Sequence, residues 1–192
     1  MLAKGKHNDL TDVAGVKVGH VTLYKKINEE DTICTGVTAI LPHQGNLFRK
    51  KTPAACHVIN GYGKTCGLVQ VEELGLLEAP ILLTNTFSVA SVLQGTLDYM
   101  LQENEEIGDS ASSINIVVGE CNDSYLNSMR LCAVEPKHAK EAITKATSHA
   151  FEQGAVGAGK AWYALVEKEG LVLHPDSSRL LTENVIQSPV WC

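Results

Sequence analysis

The sequence predicts an α/β fold in which helices cover a largely antiparallel sheet. Three observations carry that expectation. Short β-branched runs recur along the chain, with Gly15, Gly19, Pro42, Gly61 and Gly119 among their punctuators. Two longer segments, Ser88 to Gln102 and Glu135 to Gln153, instead space their apolar residues as a helix would. The first two runs, separated only by the charged stretch Lys25 to Asp31, read together as an antiparallel hairpin.

The 192 residues suit one domain with a sizeable core. Aromatics make up only 5% of them, so that core has to be built from Val, Leu, Ile and Ala. A net charge of −6, with no basic patch beyond Lys4/Lys6 and Arg49-Lys50-Lys51, argues against a nucleic-acid or anionic-membrane partner. There is no apolar run long enough to span a bilayer, and Met1 to Gly5 lacks a signal-like apolar stretch. The expected location is cytoplasmic. Cysteines at 34, 56, 66, 121, 132 and 192 form no Cys-x-x-Cys pair, and in that compartment they read as small buried hydrophobes. The seven histidines offer no second ligand at helical spacing, so no metal or other cofactor is expected. His138 and His149 read as surface residues about three turns apart on one helix, His20 and His57 as structural residues within strands.

Taken in order, Asn8 to Asp12 is a polar turn. Val13 to Leu23, with Val16 and Val18 as strand positions, and Thr35 to Leu41 form the hairpin, and Ala54 to Asn60 a third strand. The stretch Asn60 to Gly67 is the most glycine-dense of the chain. It lacks the first glycine of a phosphate loop, so nucleotide binding is rejected in favour of a tight turn or a backbone that faces substrate. Leu68 to Leu74 is a short helix stopped by Gly75. Pro80 to Leu83 is a buried strand, and Thr84-Asn85-Thr86 supplies caps for the helix Ser88 to Gln102, whose apolar face is Val89, Leu93, Leu97, Met100 and Leu101. Asn104 to Ser113 is a loop. The second helix begins with Pro136 in its first turn, presents Ala139, Ala142, Ile143, Ala146 and Ala150, and ends at Gly154.

Between the two helices lies the most informative stretch. Ile114 to Val118 suits a buried strand, and then Glu120, Asn122, Asp123 and Asn127 crowd together after Gly119. A rigid strand ending in polar residues is a common platform for chemistry. From these residues alone, an Asn-Asp-Ser turn is the simpler reading.

Several blocks, in order, resemble the DmpA/BapA family of N-terminal-serine aminopeptidases. They are Asn8 to His20, Thr35 to Thr38, His57 to Thr65, Gln70 to Gly75, Leu83 to Thr86, Glu120 to Asp123 and Gly154 to Gly159. The resemblance implies an αββα sandwich of the self-processing N-terminal-nucleophile type. It also implies a metal-free hydrolase that removes N-terminal residues from peptides, amides or esters, and assembly into homo-oligomers. In such a site a serine exposed by autoproteolysis is the nucleophile, and backbone N–H groups stabilise the tetrahedral oxyanion. Carried onto this sequence, Glu120 holds the substrate amine or a hydroxyl of the site, and the backbone N–H of Asn122 belongs to the oxyanion hole. Asn60 and Gly61 line the pocket.

The family's nucleophilic serine has no counterpart here. The expectation is therefore a single domain over 1–192, the N-terminal part of a longer family domain, truncated and inactive, with the sandwich incomplete. After Lys160 the resemblance breaks. The codons of Ala161-Trp162-Tyr163-Ala164, read two bases later, can encode Met-Val-Cys as relatives have, and Val185 to Cys192 behaves similarly. Frameshifts would make 161–192 largely aberrant; taken at face value, Ala161 to Leu173 reads as a hairpin. Two rivals stand beside the enzyme reading: a relic or assembly partner of a full-length paralogue, and a distinct small hydrolase using Cys121 as nucleophile.

Overall fold

The computed structural model describes residues 5–58 and 63–161. The hairpin forms as the sequence predicts. β1 (Lys17–Lys26) and β2 (Thr32–Leu41) pair antiparallel along their whole length, from Lys17 opposite Leu41 to Lys26 opposite Thr32. Asn28 makes the turn. Its Oδ1 accepts from the N–H groups of Glu30 (2.8 Å) and Asp31 (2.6 Å), so a short side chain substitutes for a backbone turn.

β3 (Thr52–Pro53) and β4 (Leu76–Leu77) make a separate two-stranded ladder around α1 (Leu68–Leu74). The helix stops where expected. Gly75 takes φ +66°, a left-handed conformation that glycine adopts without strain, and its N–H closes onto Val71 O at 3.0 Å. β5 (Ile81–Asn85) then pairs antiparallel with β2. A crossover through α2 (Val89–Glu103) returns the chain to β6 (Val117–Cys121), parallel to β5. The main sheet thus has the order β1-β2-β5-β6, with two antiparallel pairings and one parallel. α3 (Pro136–Thr144) completes the helical layer.

Strand alternation gives the sheet two distinct faces. Val21, Val37, Ala39, Leu82 and Val118 face α2 and α3, where they meet Val89, Val92, Met100, Ala139, Ala142 and Ile143 in one core. α2 and α3 sit unusually close. A Cβ on Gly95 would overlap the Pro136 carbonyl, with the carbonyl carbon at 2.7 Å and Pro136 Cα at 2.9 Å. The opposite face carries His20, Thr22 and Thr38. The 3₁₀ turn Gly157–Lys160 crosses it, held by Gly157 N–H to Thr22 Oγ1 (2.8 Å) and Ala158 N–H to Thr38 Oγ1 (3.0 Å).

Five expectations are corrected. Residues 54–58 form no strand: they alternate in exposure, but alternation makes a strand only where a partner ladder exists. The apolar face of α2 is turned toward Val92, Gly95 and Thr96, while Leu93 and Leu97 are half-buried and Leu101 is exposed, because close helix contact favours small residues over long ones. The second helix ends at Thr144, not Gln153. Thr147 instead pairs with the free edge of β1 through two bonds to Val18 of 2.9 and 3.0 Å. His138 is consequently not a surface partner of His149: it is buried, and its Nδ1 accepts from Glu135 N–H at 2.9 Å as part of a reciprocal helix cap. Of the strand histidines, only His20 lies in a strand; His57 is exposed irregular chain. The hairpin expected over Ala161 to Leu173 lies outside the described residues.

Candidate functional site

Parallel strands converge their carboxyl ends on one edge of a sheet, which is where α/β folds place ligands. Here that edge belongs to β5 and β6. Their register sets Thr84 beside Glu120 and Asn85 beside Cys121. Each strand runs from apolar residues into polar ones at the same level, so a polar rim forms from two segments that are distant in sequence.

Glu120 is the centre of the rim. It is only 5% exposed, yet both carboxylate oxygens are satisfied. Oε1 accepts from the backbone N–H of Lys64 at 2.8 Å, and Oε2 accepts from the Thr86 hydroxyl at 2.5 Å. A buried carboxylate without such donors would be costly. Asn85, just before Thr86, fixes the local chain: its Oδ1 accepts from Phe87 N–H (3.1 Å) and Ser88 N–H (3.0 Å), the cap foreseen from sequence. Its Nδ2 donates to Thr35 Oγ1 at 2.8 Å.

Asn122 lies at the exposed end of the same wall, its Oδ1 accepting from Ser124 N–H at 2.8 Å. The side chain is thereby turned back into its own loop. Behind it Asp123 is wholly buried. Asp123 Oδ1 accepts from Asn127 Nδ2 at 3.1 Å, while Oδ2 lacks a well-aligned donor among the described residues. Burial raises the Asp123 carboxyl above its ordinary pKa, and the opposing pull of Thr35, Asn127 and Asn85 is smaller. Asn127 Oδ1 accepts in turn from Cys34 N–H at 3.0 Å, tying the 122–127 loop to β2.

The structure therefore brings Glu120 and Asn122 onto one strand end. Asn60 and Gly61 lie outside the described residues. Cys121 is buried, and alternation sends it to the sheet face opposite Glu120, so that carboxylate cannot serve as its base. Thr86 and the Lys64 backbone were not singled out from sequence as partners of Glu120. Thr86 read only as part of a cap; its link to Glu120 depends on the parallel register. Among the described residues, no group of three His, Cys, Asp or Glu side chains could hold a metal ion. A second cleft lined by Phe48, Lys51, Gln70, Glu78 and Asn115 uses its charges internally. Burial works to raise the Glu78 carboxyl, but Lys51 and the Asn115 N–H outweigh it and hold the carboxyl below the ordinary range.

Comparison with known proteins places this geometry in context. The sequence pattern of peptidase family S58 matches residues 8–186. The β-peptidyl aminopeptidase BapA of Sphingosinicella microcystinivorans is 35% identical over 159 residues, covering 81% of this chain and 39% of that protein. BapA of Sphingosinicella xenopeptidilytica is 33% identical over 171 residues, covering 87% of this chain and 42% of the relative. Among solved structures, a Pyrococcus horikoshii OT3 protein superposes with a TM-score of 0.80 at 52% identity, over 84% of this chain and 46% of the other. A Burkholderia sp. β-aminopeptidase gives 0.79 at 34% identity, over 84% and 44%. The L-aminopeptidase D-Ala-esterase/amidase of Ochrobactrum anthropi, described as a variant of the Ntn hydrolase fold, gives 0.75 at 28%, over 84% and 46%. The described helical layer on one sheet thus belongs to the fold of the Burkholderia and Ochrobactrum aminopeptidases, as the sequence resemblance implied. The chain spans less than half the length of each.

Proposed function

Because this chain belongs to peptidase family S58, we propose that it carries one wall of an aminopeptidase-type site that releases N-terminal residues from peptides, amides or esters. The observation that supports this most directly is the buried Glu120 carboxylate at the carboxyl end of β6, held by Thr86 and Lys64 N–H. Two fixed donors leave part of the acceptor capacity of a carboxylate for the ammonium of a substrate. Two residues on, the backbone N–H of Asn122 stabilises the oxyanion of the tetrahedral intermediate. Asn60 and Gly61 contribute to the pocket lining.

The nucleophile in this reading is an N-terminal serine released by autoproteolysis, in a segment not contained in these 192 residues. The isolated chain is accordingly inactive; the protein is cytoplasmic, and the complete site forms in a homo-oligomer. NMR titration of the chain with L-alaninamide tests the wall directly. Shifts centred on Glu120, Thr86 and Lys64 that vanish in Glu120→Gln support it; no response in the wild type refutes it. Hydrolysis of alanine para-nitroanilide by the purified chain, lost in Glu120→Ala, would refute the inactivity.

A second reading is compatible with the same family membership. In it the chain is a relic or assembly partner of a full-length paralogue. Co-purification with a longer relative distinguishes it.

A further inference from the structure

The hydroxyl of Thr86 has one hydrogen, and at 2.5 Å it is committed to Glu120 Oε2. The Thr86 main chain lies between the Asn85 cap and the N–H groups that cap receives, so it has little freedom of its own. A β-branched side chain on fixed backbone is stiff at χ1. Lys64 N–H holds the other oxygen from a loop across the rim. The Glu120 carboxylate is thus gripped at both oxygens, which defines the direction of the lone pairs that remain. Loss of the Thr86 hydroxyl leaves a single donor, about which the carboxylate can rotate.

From this geometry we infer that Thr86 is a positioning residue that fixes the Glu120 carboxylate as a directional acceptor for a free primary ammonium. The inference rests on the amine-anchoring role proposed for Glu120. An ammonium donates two hydrogens toward a fixed carboxylate edge. An N-acyl amide has one weaker donor and no charge, and it adds a carbonyl oxygen that would face the carboxylate lone pairs. The stiffness of Thr86 therefore turns a general attraction for cations into selection for an unblocked N-terminus.

Thr86→Val keeps the shape of the side chain and removes the hydroxyl; Thr86→Ser keeps the hydroxyl. Two measurements on the purified chain decide the matter. Exchange of the Lys64 amide reports the grip: protection falls about tenfold in Thr86→Val and stays within about twofold of wild type in Thr86→Ser. Titration with L-alaninamide and with N-acetyl-L-alaninamide reports selectivity: Thr86→Val weakens binding of the free amine about tenfold and narrows its preference over the acetylated probe, and Thr86→Ser restores both. Unchanged Lys64 protection in Thr86→Val overturns the inference, as does equal weakening by both variants. If wild type binds neither probe, the amine-anchoring reading fails, and with it the selectivity assigned to Thr86. If Glu120→Gln abolishes binding while Thr86→Val leaves it intact, only the role of Thr86 fails.

Discussion

Gly95→Ala sets two effects of known size against each other. In a helix interior alanine is favoured over glycine by about 1 kcal/mol, so on an exposed face the change would stabilise α2. Gly95, however, faces the first turn of α3. The new methyl would lie 2.7 Å from the Pro136 carbonyl carbon and 2.9 Å from its Cα, closer still to the oxygen, where carbon contacts are comfortable at about 3.5 to 4 Å. These are backbone atoms, so no rotamer change relieves the clash; the two helices must separate by roughly 1 Å. Overpacking of this kind costs about 1–3 kcal/mol. A gap of 0.5–1 Å also forfeits a quarter to a half of each contact across the seam that holds Val92, Ala139 and Ile143. The steric side wins, and the net loss is about 1–3 kcal/mol. Urea denaturation followed by circular dichroism measures it. Gly119→Ala is the control, because its methyl meets only the end of the Leu83 side chain, at 3.0 Å, which can move; its cost is below about 1 kcal/mol. A Gly95→Ala protein at least as stable as wild type would show that the α2–α3 approach is not what requires the glycine.

Asp123→Asn raises stability at neutral pH by about 1 kcal/mol, since it removes the cost of ionising a buried carboxyl. The sign follows from a folded pKa above the ordinary aspartate value: the contribution of the protonated acid is full below that ordinary value and disappears as pH rises through the folded pKa. Urea melts at pH 4 and pH 7 should find the gain mainly at pH 7; an equal loss at both refutes it. An aromatic disulfide reagent at pH 7 labels exposed Cys132 well before buried Cys121, and fast native-state labelling of Cys121 would revive the cysteine-nucleophile reading. Nucleotide sequencing across and beyond the codon for Cys192 tests the frameshifts: a continuous family-like frame supports them as artefacts, and a confirmed stop supports a relic.

Local chemistry was the part of the fold most readily visible in sequence. The hairpin, the stop of α1 at Gly75 and the Asn85 cap each depend on residues within a few positions of one another. Errors arose where a distant partner decides. The alanine-rich pattern continues past Thr144, but the edge of β1 claims Thr147 and ends the helix. Hydrophobicity centred the α2 face on its leucines, while the structure centres it on Gly95 and Thr96, which contribute closeness rather than apolar bulk. At the site, Glu120 stood out because the family resemblance marks it. Thr86 did not, since nothing local pairs it with a residue 34 positions later; only the register of β5 with β6 does so.

The two threonine contacts on the sheet face opposite the helices impose an order in time. Thr22 and Thr38 leave the ribosome early, in a hairpin whose strand register is set by pairing close in sequence. The amides of Gly157 and Ala158 that they receive are synthesised 135 and 120 residues later. At about 5–20 residues per second, that face waits roughly 6–27 s for its cover. Throughout that interval any β1–β2 surface already paired stays open on this side to solvent and to a chaperone at the exit. The most local pairing of this fold thus waits, among the described residues, for contacts made by their last segment.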